Sequence, residues 1–196
     1  MRQPKRFIHI AVLIPLLGVC AAFSAQANEI TDYHLGLKAG YQVTTDDIYQ
    51  GSDPTGAMVG ILAGVSLGPT WAIEVDYQTH SELHAEATGV RVSTQLISAA
   101  VRYEHDWSSA WATYGRLGAA YWDVEKAREG SQTLDAKGLS MLTEVGIRYT
   151  LQPGLQLRGG YQFIQGMGNA VTGEYNSHGA MLSLNYAFGD ILNGEK

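Results

Sequence analysis

Two segments of the sequence combine histidine with the partners that catalysis or metal binding needs. His80 and His84 are four residues apart in HSELH, a spacing that brings two imidazoles to one side of a helix. The preceding residues alternate between apolar and polar, so we expect a strand end and a loop here, where the two rings do not converge. Ser177 and His178 are adjacent, and adjacent strand residues point to opposite faces. We therefore predict no catalytic residue and no metal site.

The charge balance and the remaining motifs exclude further classes of ligand. Acidic residues outnumber Lys and Arg by 19 to 13, whereas a nucleic-acid surface is basic. Asp46, Asp47 and Asp53 lie in a polar stretch but lack the regular spacing of a calcium-binding loop. The glycines alternate with apolar residues and do not form a phosphate-binding loop. We expect no cofactor and no nucleic-acid partner.

The first 27 residues are typical of a secretory signal peptide. A basic start precedes a mostly apolar stretch, and Ala25-Gln26-Ala27 has the small residues of a cleavage site. The single cysteine, Cys20, lies in this segment, so no disulfide is expected in the remainder. We predict a signal peptide at 1–27, one domain at 28–189 and a short tail at 190–196.

The rest of the chain repeats extended segments in which apolar and polar residues alternate. We predict eight strands. The connections between them alternate between tight turns and longer polar segments, which is typical of an up-and-down antiparallel sheet. The predicted strands are 33–41, 58–67, 71–78, 90–103, 111–122, 139–151, 155–164 and 178–188. The predicted long connections are 42–57, 79–89, 123–138 and 165–177.

The two faces of each predicted strand differ in chemistry. In LTEVGIRYTL, which begins at Leu142, one face is almost entirely apolar and the other carries Glu144 and Arg148. Aromatic residues end many apolar rows, as they do where strands meet the two interfaces of a bilayer. Strands in lipid must close into a barrel to pair every backbone group. The charged residues on the opposite, inward face are Lys38, Glu74, Asp76, Arg102, Arg116, Glu144, Arg148 and Arg158.

These features predict an all-β fold, an eight-stranded antiparallel up-and-down transmembrane β-barrel. The interior of such a barrel is just wide enough for side chains. Buried charges are tolerated only in a connected network, so we expect the inward residues to form a barrel-interior charge network.

The sequence resembles the N-terminal transmembrane barrel of OmpA and its small relatives OmpX and Ail. The resemblance covers nearly all of 28–189 and is carried by LGLKAGYQ, WAIEVDYQ, TYGRLGAAYW, EVGIRYTL, LQLRGGYQF and GAMLSLNYAFG. It places Lys38, Glu74, Arg116 and Arg158 at inward charged positions of that family. It implies a location in the outer membrane of a Gram-negative bacterium, with both termini in the periplasm.

Three positions depart from the family pattern. Arg148 replaces an inward glutamate that is frequent there, and Ala100 lies where a lysine is expected, with Arg102 two residues further on the same face. Ser183 replaces a glycine preferred by the family's assembly signal. We therefore expect the interior ion pairs to be arranged differently in this chain.

The sequence predicts a structural or surface-interaction role, in envelope integrity or in adhesion through long loops, and no enzymatic activity. Two alternatives stay open: a lipid-modifying enzyme on the same barrel, and a narrow channel of low conductance. The expected partners are outer-membrane lipid and lipopolysaccharide, the outer-membrane assembly machinery, and a host or cell-surface ligand bound by the loops. The connection around 123–137 mixes acidic and basic residues and is a candidate for ligand contact.

Overall fold

The computed structural model describes residues 30–45, 55–85, 90–128, 134–169 and 173–188. The eight strands are β1 (Ile30–Thr45), β2 (Thr55–Leu67), β3 (Trp71–Ala85), β4 (Val90–Asp106), β5 (Trp111–Arg128), β6 (Leu134–Gln152), β7 (Leu155–Asn169) and β8 (Gly173–Ala187). The predicted signal peptide, the predicted tail and the acidic residues Asp46, Asp47 and Asp53 lie outside the described residues.

The strands pair in chain order, each antiparallel to its neighbours, and β8 pairs with β1 to close a barrel. The closing register runs from His34 opposite Ala187 to Thr45 opposite Asn176. Closure pairs the backbone groups that an open sheet would leave free at its edges. The predicted eight-stranded up-and-down barrel is thereby confirmed. None of the described residues forms a helix long and apolar enough to span a membrane.

Tight turns join the strands at one end of the barrel, here called the turn end. Gly68, between β2 and β3, and Gly154, between β6 and β7, have φ values of 75° and 79°. Glycine adopts this left-handed conformation without the steric cost that a Cβ imposes, so these two positions allow the chain to reverse in few residues. The opposite end, the loop end, is where β1 leads to β2, β3 to β4, β5 to β6 and β7 to β8.

The strands extend further toward the loop end than the sequence predicted. β3 continues to Ala85, β5 to Arg128 and β7 to Asn169, while β6 already begins at Leu134. The extents of the long polar connections were therefore predicted wrongly. The outward residues described in these extensions are mostly polar, which breaks the apolar rows from which the strands were assigned. On β5, β6 and β7 the inward positions nevertheless include the buried apolar side chains of Val124, Ala136 and Met167.

The outward face forms an apolar band around the barrel. Leu37, Leu117, Leu139 and Val145 are each exposed by 60% or more, and they lie among many other outward apolar residues. A continuous apolar surface of this size is unfavourable in water, whereas hydrocarbon accepts it. The outer face therefore fits a lipid environment.

Aromatic side chains bound the apolar band at both ends. The turn-end girdle includes the ring pairs Trp71 with Tyr103, at 5.0 Å between centroids, and Trp111 with Tyr149, at 4.6 Å. Tyr121 lies ten residues beyond Trp111 on β5, which corresponds to about 34 Å of strand. A tilt of about 40° reduces this to about 25 Å, the height of the apolar band of a membrane-spanning barrel.

Candidate functional site: the filled lumen

Inward side chains fill the barrel in two layers. An ion-pair network occupies the part nearer the turn end, and an apolar cluster lies toward the loop end. All eight charged residues assigned inward by alternation are buried: Lys38, Glu74, Asp76, Arg102, Arg116, Glu144, Arg148 and Arg158. Because a buried charge is costly unless it is paired, the contacts of these residues decide whether the lumen is stable.

Arg116 on β5 joins three carboxylates from two other strands. Its Nε lies 2.7 Å from Glu74 Oε2. Its Nη2 donates a hydrogen bond to Asp76 Oδ2 at 2.6 Å, and its Nη1 donates to Glu144 Oε2 at 2.5 Å. Glu144 lies directly opposite Arg116 on the adjacent β6, whereas both β3 carboxylates reach it across β4. Arg116 therefore links β3, β5 and β6 through the lumen.

Glu74 on β3 is a second point at which the network converges. Arg102 Nε and Arg158 Nη1 each donate to Glu74 Oε1 at 2.8 Å, and His34 Nε2 lies 3.0 Å from the same oxygen. Ala100, directly opposite Glu74 on β4, leaves space for these longer side chains. The family resemblance implies a lysine at position 100. Arginines from β4 and β7 supply the positive charge beside Glu74 instead.

Lys38 extends the network to β1. Its Nζ lies 3.6 Å from Asp76 Oδ1 and 3.5 Å from Glu144 Oε2, distances that give charge attraction without close hydrogen bonds. Asp76 also accepts hydrogen bonds from Gln78 Nε2 at 2.5 Å and Ser98 Oγ at 2.7 Å. The carboxylate of Asp76 is therefore surrounded by donors although it is buried.

Two acidic residues outside the predicted inward set complete the network. Glu104 contacts Arg102 and also lies 2.6 Å from Arg148 Nε, while Asp106 pairs with Arg148 Nη2. The predicted set had three carboxylates for five Lys and Arg side chains, and these two additions make the numbers equal. Both residues share the inward parity of Arg102, so parity and the shortage of acids could have identified them.

Tyr114 on β5 packs over two glycines and reaches into the network. Its hydroxyl donates to Glu144 Oε1 at 2.8 Å, and its ring lies 5.9 Å from the guanidinium carbon of Arg158. A Cβ at Gly146 would lie 2.6 Å from Tyr114 Cζ, and a Cβ at Gly160 would collide with its hydroxyl. The inward glycines of β6 and β7 therefore provide the space that the tyrosine ring occupies.

The apolar cluster lies above the ion-pair network, on the inward faces of β4 to β7. It comprises Leu96, Ala120, Trp122, Val124, Ala136, Leu142, Ile164 and Met167. Trp122 Nε1 donates to Ser140 Oγ at 2.8 Å, and Ser140 Oγ donates in turn to Gly166 O at 2.9 Å. The indole N–H is thus satisfied inside an apolar layer. The alternation in the sequence predicted a polar inward face throughout, so this cluster was not expected.

The histidines and the serine considered for catalysis are separated by the fold. Ser177 points inward and donates to Gln42 Oε1 at 3.0 Å, whereas His178 points outward, with Nδ1 2.5 Å from the Tyr161 hydroxyl. His80 is buried in the lumen on β3, and HSELH lies within that strand, not in a loop as predicted. His34, which stands alone in the sequence, pairs with Glu74.

No group of three or more His, Cys, Asp or Glu in the described part of the chain is arranged to hold a metal ion.

Comparison with known families matches residues 11–188 to the outer membrane protein beta-barrel domain. The chain belongs to this family. The match covers most of the chain, and the closed barrel with its apolar outer band agrees with a location in the outer membrane of a Gram-negative bacterium.

Similar proteins agree with this assignment to the outer-membrane barrel family. Outer membrane protein A of Serratia marcescens is 29% identical over 207 residues, covering 92% of this chain and 55% of that protein. The chain thus spans about half the length of that curated relative.

Among solved structures, Neisserial surface protein A has a TM-score of 0.67 at 15% identity, covering 79% of this chain and 96% of that chain. Ail of Yersinia pestis has a TM-score of 0.56 at 14% identity, covering 81% of this chain and 99% of that chain. At these identities the similarity shows the fold alone.

Beyond the outer aromatic residues, the outward surface of this outer-membrane barrel becomes polar and acidic. Asp123 on β5 accepts a hydrogen bond from Lys137 on β6 at 2.5 Å, and this contact raises the pKa of the exposed lysine. The next outward pair, Glu125 opposite Asp135, brings two exposed carboxylates together. We call the outward surface formed by these four residues the rim.

Proposed function

We propose that this outer-membrane barrel is a closed structural protein that presents its loop end for surface interactions and neither conducts solutes nor catalyses a reaction. The observation that carries the proposal is the filled lumen. Ion pairs connect side chains from Asp106 to Lys38, and the apolar cluster adds a second seal. Water and ions would have to displace both layers to pass.

Conductance in planar lipid bilayers tests the closed lumen. We expect purified protein to give no discrete conductance steps, and we expect Arg116→Ala and Leu142→Ala each to leave one layer intact and remain closed. The double variant Arg116→Ala/Leu142→Ala opens both layers and should conduct. Steps in the wild-type protein that change with Arg116→Ala or Glu144→Gln would favour the narrow channel.

The absence of catalysis is supported by the separation of Ser177 and His178 on opposite faces of β8. A serine nucleophile needs a base within hydrogen-bond reach, and these two side chains point away from each other. Incubation of the purified barrel with lipopolysaccharide and phospholipid, followed by mass spectrometry of the lipids, should show no lost or transferred acyl chain. A modified lipid that disappears after Ser177→Ala would instead support the enzyme.

The surface role is supported by the strand extensions at the loop end, which carry polar side chains beyond the aromatic boundary of the band. The Ail structures concern an attachment invasion locus protein, and one is in complex with a heparin analogue, sucrose octasulfate. The segments at the loop end that comprise the loops and the strand extensions, 42–57, 79–89, 123–138 and 165–177, hold ten Asp and Glu against three Lys and Arg. We therefore propose that the loop end, facing outward while both termini face the periplasm, selects cationic over polyanionic surfaces.

Attachment of bacteria that display the barrel tests this role. We expect attachment to epithelial cells to fall when residues 129–133 are replaced by a Gly-Ser linker, and to be insensitive to added heparin. The matched control, Leu142→Ala, changes the lumen and leaves the outer surface intact. Unchanged attachment in the linker variant, with the protein present at normal levels, would leave envelope integrity as the role, which detergent sensitivity of a deletion strain measures directly.

A further inference from the structure

Toward the loop end, the two sides of the lumen differ in polarity. The apolar cluster lies on β4 to β7, whereas β1 and β3 carry the buried polar side chains of Gln42, Gln78 and His80 on their inward faces. A buried amide or imidazole is costly unless it is hydrogen-bonded. The hydrogen bonds of these side chains therefore indicate whether this part of the lumen needs a ligand.

Several buried polar atoms here have no hydrogen-bond partner among the residues that the structure describes. They are Lys38 Nζ, Gln42 Nε2, Gln78 Oε1, Gln162 Nε2 and both ring nitrogens of His80. All five side chains, here called the polar set, are more than nine-tenths buried. Amide and ammonium nitrogens only donate, so donors outnumber acceptors in the polar set. A surplus of donors together with a lysine charge suits an anion.

One row of inward residues joins Lys38 to β3. Lys38, Gly60 and Gln78 lie side by side on β1, β2 and β3, and Gly60 has no side chain to separate its neighbours. Lys38 Nζ and Gln78 Nε2 lie 3.6 and 2.5 Å from the same oxygen, Asp76 Oδ1. His80 follows Gln78 on the same face of β3, and the charged groups that act on it are Lys38 and Asp76. These three members of the polar set therefore face one region of the lumen.

A second row brings the two unpaired amide nitrogens to the same region. Gln42, Gly179 and Gln162 lie side by side on β1, β8 and β7. Met58 reaches over the glycine from β2, since a Cβ at Gly179 would collide with Met58 Cε. Met58 is also directly opposite His80. Its side chain thus lies among members of the polar set, and its three rotatable bonds allow it to move aside for a small occupant.

We propose that the polar set binds one small monovalent anion of the halide class between Lys38, His80 and the amide nitrogens of Gln42 and Gln162. The anion accepts hydrogen bonds from donors that are otherwise buried and unpaired, and it lies beside the ammonium charge of Lys38. A cation meets the same charge as a repulsion. The carboxylate of Asp76 does not prevent binding, because three other side chains donate hydrogen bonds to it.

The site lies on the loop-end side of the ion-pair network. Binding needs no path through that network, so the proposal does not depend on whether the barrel conducts.

Crystals of the barrel grown in rubidium bromide distinguish an anion from a cation and from water, because rubidium and bromide scatter anomalously at different X-ray wavelengths. We expect a bromide peak within hydrogen-bond reach of Lys38 Nζ and Gln162 Nε2, and no rubidium peak there. A rubidium peak in this place would overturn the proposal. Ordered water without an anomalous signal would overturn it as well, since water alone would then satisfy the donors.

Thermal unfolding in lipid vesicles tests whether the site is occupied outside a crystal. An ion that binds only the folded barrel raises its unfolding midpoint. When chloride replaces gluconate at constant ionic strength, we expect the midpoint of the wild-type barrel to rise relative to that of Gln162→Leu. The matched control is Gln95→Leu, which changes an exposed glutamine on the outward face and should respond like wild type.

A gel shift between boiled and unboiled samples verifies that each variant is folded. Equal responses of the wild-type barrel and Gln162→Leu to chloride would contradict the site. If Gln162→Leu does not fold, Gln42→Leu removes another donor of the polar set and takes its place in the comparison.

Discussion

Arg148 Nε lies 2.6 Å from Glu104 Oε1, although β5 separates the strands that carry these two residues. Arg148 reaches across because Ala112, its direct neighbour on β5, has a small and fully buried side chain. Glu104 also contacts Arg102, so one carboxylate serves two arginines. The pair joins the turn end of the network to Glu74, and it makes β4, β5 and β6 depend on one another.

Replacing Glu104 with glutamine should destabilise the barrel, because Arg102 and Arg148 would both lose a negative partner while remaining buried. Removing one member of a buried ion pair typically costs about 3–5 kcal/mol. We expect a loss of about 3 kcal/mol in the free energy of unfolding, measured by urea titration in lipid vesicles. The control is Glu125→Gln, which removes an exposed carboxylate. Equal stability of the two variants would show that Glu104 does not support the network.

Adding a methyl group at Gly160 should destabilise the barrel because the Tyr114 hydroxyl occupies the space that a Cβ needs. We expect Gly160→Ala to cost about 1–3 kcal/mol, as overpacking of a buried site does. In the Tyr114→Phe background the same change should cost less, because the colliding oxygen is gone. Gly159 is the matched control, since its Cβ would lie 3.4 Å from Leu182 Cδ2 and meet only ordinary contact. Equal losses at both glycines would contradict the assigned packing.

The barrel itself could be predicted from sequence because strand periodicity is an exact two-residue alternation. In the strands that carry Lys38, Glu74, Arg116 and Arg158, charged and apolar residues occupy alternate positions, so they lie on opposite faces of the strand. Only the apolar face can meet lipid. The aromatic residues at the ends of the apolar rows then indicated the positions of the bilayer interfaces. The fold followed from local pattern and from the need to pair every backbone group.

The partners within the lumen could not be predicted, because they depend on register and on reach across the barrel. Arg158 on β7 contacts Glu74 on β3, residues that no local pattern connects. The strand extensions were missed for a different reason. Beyond Tyr121 the outward residues Asp123 and Glu125 are polar, whereas the inward residue Val124 is apolar and buried. The apolar and polar faces are therefore exchanged relative to the rest of β5, and the alternation predicted a loop here.

Reversing one charge at the rim should relieve a repulsion between neighbouring strands. Glu125 lies directly opposite Asp135, and like charges in this arrangement destabilise a sheet by about 0.2–1 kcal/mol. We expect Asp135→Lys to raise the unfolding free energy by an amount within that range at low salt, and the gain to shrink in about 1 M NaCl, where charges are screened. Thermal unfolding at both salt concentrations measures the effect. A gain that is independent of salt would mean that propensity, not charge, is responsible.

The boundary between lumen and lipid can be tested with two nearby leucines on β6. Leu142 is fully buried in the apolar cluster, whereas Leu139 is 68% exposed on the outward face. Truncating Leu142 leaves a cavity that neighbouring side chains cannot fill, so Leu142→Ala should cost about 2–5 kcal/mol. Lipid chains can fill the space left by Leu139→Ala, so that variant should lose clearly less stability. Urea titration of both variants in the same vesicles compares them. If truncation of Leu139 proved the more damaging, the inward and outward faces of β6 would have to be exchanged, and with them the assignment of every charged residue to the lumen.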